Sequence, residues 1–225
     1  PGHHCSRPAM PAMQAAKDLM QSRPHSLPPT PGHSIDMSDC PTKSVLQTKR
    51  LLLRPVTMDD LDDFHRIIAS PGVHEGTLTF PVEPDAEWAR TRLQRVLEQN
   101  EQQQAYFIHA HRREAPEAGA VANLSLDIVQ AHGRGHLGYM VDEDHRGQGY
   151  ATEMLAAVLD HAFDGLGLRR ICASTWTWNH PSWKLLSRLG FSREGRARQH
   201  YCKNGEYIDA DDWGLLASDP RPWKE

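Results

Sequence analysis

The chain has 225 residues, with 25 Lys or Arg against 29 Asp or Glu and a formal net charge of -4. This balance argues against a nucleic-acid binder that works through a general basic surface. No run of about 18 apolar residues occurs, so no membrane span is predicted. The four cysteines lack C-x-x-C spacing and do not resemble a disulfide framework, which favours a reducing, cytoplasmic setting.

The composition divides the chain into a tail and one folded domain. Residues 1–42 hold half of the sixteen prolines and no Phe, Trp or Tyr. Such a segment cannot bury enough apolar surface to offset chain entropy. We therefore predict a disordered or flexible tail at 1–44, with at most a short helix at 12–20, and a single domain at 45–225.

The first half of the domain predicts one strand and two helices. Residues 50–54 form a short apolar strand that is stopped by Pro55. Thr57 is the expected N-cap of a helix, with Asp60 three residues further on, and Ser70-Pro71-Gly72 ends that helix. After a loop, a second amphipathic helix is predicted from about Asp85 to Gln103.

The second half predicts a meander followed by alternating elements. Three strands are expected at 106–112, 120–129 and 136–141, followed by a helix from Gly149 to about 165. A strand at 169–176, a helix at 181–189 and a hairpin with strands at 191–202 and 207–216 complete the chain, and Asn204-Gly205 is a strong hairpin signal. This order predicts an α+β fold whose mixed, mostly antiparallel sheet is flanked by helices.

The stretch 145–153, His-Arg-Gly-Gln-Gly-Tyr-Ala-Thr-Glu, joins a strand pattern to a helix pattern. The first N–H groups of a helix have no intrahelical partner and lie at the positive end of the helix dipole, so they bind anions. Gly147 and Gly149 let the backbone approach an anion closely, and Arg146 adds a permanent charge. The stretch therefore predicts a phosphate or pyrophosphate site.

Two blocks of sequence resemble the GNAT N-acetyltransferase superfamily. The family's acetyl-CoA signature is Gln or Arg, two residues, Gly, one residue, then Gly or Ala, and residues 146–151 read Arg-Gly-Gln-Gly-Tyr-Ala. Residues 179–182 read Asn-His-Pro-Ser and precede a leucine-rich helix, Gly-Phe and Glu-Gly, as in the family's second block. The opening strand and the closing hairpin with Asp209 resemble the ribosomal-protein-alanine acetyltransferase branch (RimJ/RimL-like). The resemblance covers about 49–217 and implies a GNAT-like fold with acetyl-CoA as co-substrate.

The resemblance also implies a set of donor-binding residues. The backbone of 147–152 would hold the CoA pyrophosphate, and free backbone groups near 140–141 would hold the pantetheine arm and polarise the thioester carbonyl. The cofactor-binding residues implied in this way are Met140, Val141, Arg146, Gly147, Gln148, Gly149, Tyr150, Ala151, Thr152, Asn179 and Ser182.

Two side chains are catalytic candidates. Ser182 is the preferred group beside the leaving thiolate of CoA, with Asn179 hydrogen-bonding the pantetheine or fixing the turn. In the structural alternative, Asn179 or His180 caps the helix and Ser182 merely lies in its first turn. Tyr201 is the other candidate acid, because many relatives use a tyrosine beyond the second block, and its structural alternative is a core position in a strand.

The acceptor side is less well defined. Acetyl transfer needs an uncharged amine, yet the pKa of a lysine side chain is about 10.4, so a base or a water chain must take a proton. None of the candidate bases sits in a motif that fixes its role: Asp127, His136, Glu143, Asp209 and Asp211. Trp176 and Trp178 share a strand face, where they either wall the acceptor tunnel or pack in the core.

Two further patterns predict no additional site. Residues 133–138 spell a literal G-x-G-x-x-G, but they precede a strand, so a hairpin turn is predicted instead of a dinucleotide site. His109 and His111 share a strand face, and two histidines without a third ligand rarely bind zinc. We therefore expect solvated strand histidines and no metal.

The sequence thus predicts an enzyme that transfers an acetyl group from acetyl-CoA to a primary amine by direct attack in a ternary complex. The amine belongs to a protein N-terminus or to a small molecule. The lack of an obvious base leaves one alternative, a non-catalytic acyl-CoA-binding regulatory module. Neither a nucleic acid nor a membrane is expected as a partner, and a homodimer stays open because related folds often dimerise.

Overall fold

The computed structural model describes residues 45–102 and 105–224 of the chain. The predicted tail at 1–44, and with it the short helix considered at 12–20, lies outside the described residues. Within the described ranges, neither Cys172 nor Cys202 is in a disulfide. None of the helices in these ranges is long and apolar enough to cross a membrane.

An eight-stranded mixed sheet forms the centre of the domain, in the order β1-β2-β3-β4-β5-β6-β8-β7. Neighbouring strands are antiparallel except β5 and β6, which are parallel. This confirms the predicted α+β class and the mostly antiparallel sheet. The strands are β1 (Leu46–Gln47), β2 (Leu51–Pro55), β3 (Ala105–Arg112), β4 (Ala120–Val129), β5 (Arg134–Val141), β6 (Arg170–Trp176), β7 (Ser192–Lys203) and β8 (Glu206–Leu216).

In the described ranges five α-helices flank the sheet, and four of them lie within about three residues of their predicted bounds when the π-helical turn His161–Gly165 is counted with the helix that it follows. They are α1 (Leu61–Ile68), α2 (Pro71–Gly76), α3 (Ala86–Glu101), α4 (Tyr150–Asp160) and α5 (His180–Arg188). The remaining helix, α2, occupies a segment for which the sequence predicts a loop. There the proline that stops α1 also begins the next helix, since its fixed φ suits the first helical position and Ser70 before it is extended.

The two faces of the sheet bury separate cores because side chains alternate along each strand. Phe107 of β3 packs with residues of α1 and α3, including Phe64, Ile68 and Leu93. Its neighbours Tyr106 and Ile108 point to the other face. That face packs against α4 and α5 in a larger cluster.

Both predicted hairpin turns occur, and both contain residues in the left-handed conformation. Lys203 pairs with Glu206 across a two-residue loop in which Asn204 and Gly205 have φ of 51° and 83°. This is the left-handed conformation that an Asn-Gly hairpin requires. In the G-x-G-x-x-G stretch, only the left-handed Gly133 belongs to the hairpin turn between β4 and β5, and residues 134–138 are part of β5.

Candidate active site

The turn between β5 and α4 presents backbone N–H groups to a cavity. Gly147 and Gly149 have φ of 73° and 81°, angles that glycine adopts without strain. Gly149 is the N-cap of α4 and has no side chain to satisfy the helix, and the first intrahelical bond here is donated by Glu153 to the Gly149 carbonyl. The N–H groups of 150–152 therefore lie at the positive end of α4, free of intrahelical bonds.

The turn is anchored to the start of β2. The Glu153 carboxylate accepts hydrogen bonds from the Arg50 N–H at 2.7 Å and from the Thr48 hydroxyl at 2.5 Å. The Arg50 guanidinium bonds Glu153 and the Gln148 carbonyl, and it lies 4.6 Å from the ring centroid of Tyr150. These contacts fix the helix start before any ligand is bound.

A gap opens in the sheet beside this turn. The parallel strands β5 and β6 pair only from Arg134 to His136 and from Arg170 to Cys172. Beyond these pairs, the edge of β5 that faces β6 lacks a strand partner from Leu137 onward, as far as the described residues go. A cavity of about 620 Å³ fills the gap and is lined by 137–141 of β5, 173–175 of β6 and parts of α2, α4 and α5.

The cavity brings together most of the predicted site residues. It is lined by Met140, Val141, Arg146, Gly147, Gly149, Tyr150, Ala151, Thr152, Asn179 and Ser182. Gln148 and Tyr201 are not among its lining residues. Instead the Gln148 side chain donates to the Asp144 carbonyl at 3.1 Å, and Tyr201 packs edge-on against Trp176.

Ser182 faces Tyr139 inside the cavity. Its Oγ lies 2.5 Å from the Tyr139 hydroxyl, and its backbone N–H donates to Asn179 Oδ1 at 3.2 Å. Asn179 thus caps α5, as the structural alternative expected, and Ser182 still lines the cavity. Burial raises the pKa of Tyr139 to about 12, against the opposing effect of its bond to Ser182. The phenol therefore keeps its proton at neutral pH, and either hydroxyl of the pair can be the donor in the bond that orients Ser182.

None of the five candidate bases lines the cavity. Asp211 is fully buried and bonds Arg193 and Arg196 at 2.5 and 3.0 Å, which marks a structural ion pair. Asp209 accepts from the Gln199 N–H at 2.8 Å. Glu143 lies near the Ser70 hydroxyl, 3.5 Å away, while Asp127 and His136 are exposed register partners on β4 and β5.

The expectation of solvated histidines on β3 is wrong. His109 and His111 are buried because their strand face packs under α1, and burial lowers the pKa of His109 to about 4. Asp60 completes a group whose ligand atoms all lie within 4.8 Å of one another. Both Asp60 oxygens, however, accept from Arg54. Burial alone would raise the pKa of Asp60, but the bonds from Arg54 and Thr57 lower it to about 2.

The two tryptophans at the end of β6 differ in burial, and neither is among the residues that line the cavity. Trp176 is buried and packs with Ile208 and Ala210, whereas Trp178 is 51% exposed and stacks on Trp176 with ring centroids 6.0 Å apart. Trp176 is thus a core residue. Trp178 extends the same aromatic surface into solvent.

Sequence reasoning missed several residues that line the cavity. Tyr139 looked like one more apolar position in an alternating strand. Lys184 and Arg188 are cations four residues apart on α5, a spacing that places both on one helix face toward the cavity. That helical spacing was a readable signal. Ser174 of β6, and the segment from Gly72 to Thr77 around α2, carried no such signal.

Comparison with known proteins agrees with this geometry. The acetyltransferase (GNAT) domain family matches residues 50–192. The chain is 31% identical over 171 residues to the uncharacterized N-acetyltransferase p20 of Bacillus licheniformis, covering 76% of this chain and 95% of that protein. The chain therefore belongs to the GNAT acetyltransferases, and it is an acetyl-CoA-dependent N-acetyltransferase.

More distant similarities extend to two acceptor classes. The L-amino acid N-acetyltransferase AaaT of Escherichia coli is 24% identical over 163 residues, which cover 71% of this chain and 94% of that one. The crystal structure of the ribosomal-protein-S5-alanine acetyltransferase from Vibrio fischeri shares the fold with a TM-score of 0.68 at 20% identity. That match covers 80% of this chain and all of the other.

Proposed function

We propose that the chain acetylates a primary amine by direct attack of the amine on the acetyl-CoA thioester. One observation carries this proposal. A single cavity is lined by the anion-binding turn, by the gap between β5 and β6, by Ser182 and by residues of the segment Gly72–Thr77. Donor and acceptor can therefore meet in one space, without a covalent carrier on the protein.

The donor fits this cavity through backbone and cationic groups. The N–H groups of 150–152 and the left-handed Gly147 suit the pyrophosphate, and Lys184 and Arg188 suit the other phosphate charge of CoA. The unpaired edge of β5 near Met140 and Val141 would bind the pantetheine arm and polarise the thioester carbonyl. No side chain is needed for that polarisation.

Ser182 would protonate the leaving thiolate. If the protonated Tyr139 phenol donates to Ser182 Oγ, the serine proton is directed away from Tyr139 and remains available to sulfur. In this proposal Ser182 is the catalytic group at the thiolate. Tyr139 is its positioning residue.

The acceptor is either a protein N-terminus or a small-molecule amine. The names of similar proteins support both, because they include a ribosomal-protein-alanine acetyltransferase and an L-amino acid acetyltransferase. The thiols of Cys172 and Cys202, neither of which is in a disulfide, support a reducing, cytoplasmic setting.

A CoA-release screen tests the proposal. The wild-type chain is mixed with acetyl-CoA and a panel of peptide N-termini, polyamines and amino acids, and the acetylated product is identified by mass spectrometry. The Ser182→Ala variant should lower kcat about a hundredfold, with the Kd for acetyl-CoA nearly unchanged. Binding of acetyl-CoA without turnover of any amine would instead favour the regulatory module.

A further inference from the structure

A serine and a carboxylate lie on the acceptor side of the gap. The last register pair of the parallel strands is His136 with Cys172, so alternation places Gly138 and Ser174 across from each other two residues further on. Gly138 has no side chain, and a Cβ there would lie only 2.8 Å from Ser125 Oγ. Ser174 lines the same cavity as Met140 and Ser182.

Behind Ser174 lies Asp212 of β8, its register partner. Ser174 Oγ donates a hydrogen bond to Asp212 Oδ1 at 2.8 Å. Because the serine proton is engaged in this bond, Oγ acts as an acceptor: Tyr201 bonds it on one side, and its remaining lone pair can accept an N–H from a ligand in the cavity. The pair thus forms a directed path from the cavity to a carboxylate.

Asp212 differs from its sequence neighbours in having no fixed cation. Asp211 points to the opposite face, where two arginines hold it, whereas no salt bridge reaches Asp212 among the residues described. Two titratable groups interact with the Asp212 charge, Tyr201 on the adjacent strand β7 and His136 on β5, which lies beyond β6. Burial raises the pKa of Tyr201, a hydrogen bond to Ser174 lowers that pKa, and the negative charge of Asp212 raises it further. Asp212 is therefore a half-buried carboxylate whose charge an approaching cation can neutralise.

An aromatic surface continues from this pair to the solvent. Tyr201 packs edge-on against Trp176 with ring centroids 5.3 Å apart, and the half-exposed Trp178 stacks on Trp176. Aromatic faces bind cations and apolar bodies. A ligand that combines an ammonium group with an aromatic body would match both features.

We propose that Ser174 contacts the acceptor amine, that Asp212 receives its proton through Ser174, and that the acceptor is a primary amine with an aromatic body. This rests on the proposed function. Before attack, the ammonium group gives one proton to Ser174 Oγ as the serine proton passes to Asp212. The neutral nitrogen then bonds to the thioester carbon, the carbon–sulfur bond breaks, and the second N–H proton reaches the CoA sulfur by way of Ser182. Asp212 releases its proton to solvent after turnover.

The test uses phenethylamine as the acceptor and measures kcat/KM from pH 6 to pH 10. Asp212→Asn should lower kcat/KM at pH 7 about a hundredfold and leave the Kd for acetyl-CoA unchanged. Its log(kcat/KM) should rise with a slope of one up to the pKa of the free amine, near 10, because only free amine then reacts. The wild-type profile should level off well below that pH. Glu206→Gln, an exposed carboxylate change on the same strand, should match the wild type.

Two further variants keep the outcome decisive if Asp212→Asn folds poorly. Ser174→Ala leaves the carboxylate in place and should give the same slope of one. Trp178→Ala should raise the KM for phenethylamine about fivefold, while Tyr207→Ala, another exposed aromatic change, should not.

Several results would overturn the inference. A wild-type-like pH profile in both Asp212→Asn and Ser174→Ala would rule out proton transfer through Ser174 to Asp212. If the wild-type enzyme acetylates peptide N-termini but not phenethylamine, an acceptor with an aromatic body is ruled out. Failure of the proposed function would look different, because the wild type would then release no CoA with any amine that is tested.

Discussion

Gly147 isolates the electrostatic part of the pyrophosphate site. Its φ is 73°, it lines the cavity, and an added Cβ would meet no atom within 4 Å. Asp and Asn accept the left-handed conformation at a cost of about 1 kcal/mol. Gly147→Asp would place a carboxylate beside the bound pyrophosphate. At about 5 Å and an effective dielectric of about 20, each unit charge adds about 3 kcal/mol of repulsion, which raises the Kd for CoA about a hundredfold or more.

Isothermal titration with CoA at low salt measures this effect. Gly147→Asn has the same shape without the charge and should raise Kd less than about fivefold. Gly167 is also left-handed, with φ of 64° and no atom within 4 Å of an added Cβ, but it lies away from the cavity. Gly167→Asp should therefore bind CoA like the wild type. Equal affinity in Gly147→Asp and Gly147→Asn would refute the assignment of this turn to the pyrophosphate.

Three other predictions follow from the contacts described. Tyr139→Phe should lower kcat about tenfold in steady-state kinetics without changing the Kd for acetyl-CoA, and an unchanged kcat would mean that the phenol does not orient Ser182. The Asp60 pKa is near 2 in the folded chain and about 3.9 in the unfolded one, so its stabilisation is complete above pH 4 and is lost as pH falls toward 2. Asp60→Asn should accordingly lower the free energy of unfolding in urea by about 2 kcal/mol at pH 7 and flatten its fall between pH 5 and pH 2, whereas an unaltered acid profile would contradict the ion pair. Asp211→Asn should lower the free energy of unfolding by about 2 to 3 kcal/mol because it leaves two arginines unpaired, and lost activity at full stability would instead point to a catalytic base.

Much of the fold could be predicted because its signals are local. Each of these signals sets the backbone conformation of only a few neighbouring residues: the glycines of 147–149, the proline at the start of α5 and the Asn-Gly pair of the hairpin. The free backbone groups near Met140 and Val141 were predicted only through the family resemblance. The separation of β5 and β6 that frees them, and the cavity beside the pyrophosphate turn, depend on the register of a parallel pair that no local pattern encodes.

The acceptor side could not be predicted because it depends on which face of each strand is open. Asp209 and Asp211 were candidate bases, but the alternation of side chains along β8 places both on one face of the sheet and Asp212 on the other. The register irregularities between β7 and β8 further obscure the choice from sequence alone. Likewise, Tyr139 and Ser182 are 43 residues apart, and only the tertiary fold brings their hydroxyls together.

The most direct test of direct acetyl transfer is a two-stage labelling experiment. The wild-type chain is mixed with acetyl-CoA that carries an isotopically labelled acetyl group, and the intact protein is weighed by mass spectrometry before and after phenethylamine or a peptide acceptor is added. We predict an unmodified protein at the first stage and labelled amide, with matching CoA release, at the second. Label on the protein before any amine is present, carried on to the amine afterwards, would contradict direct attack in a ternary complex.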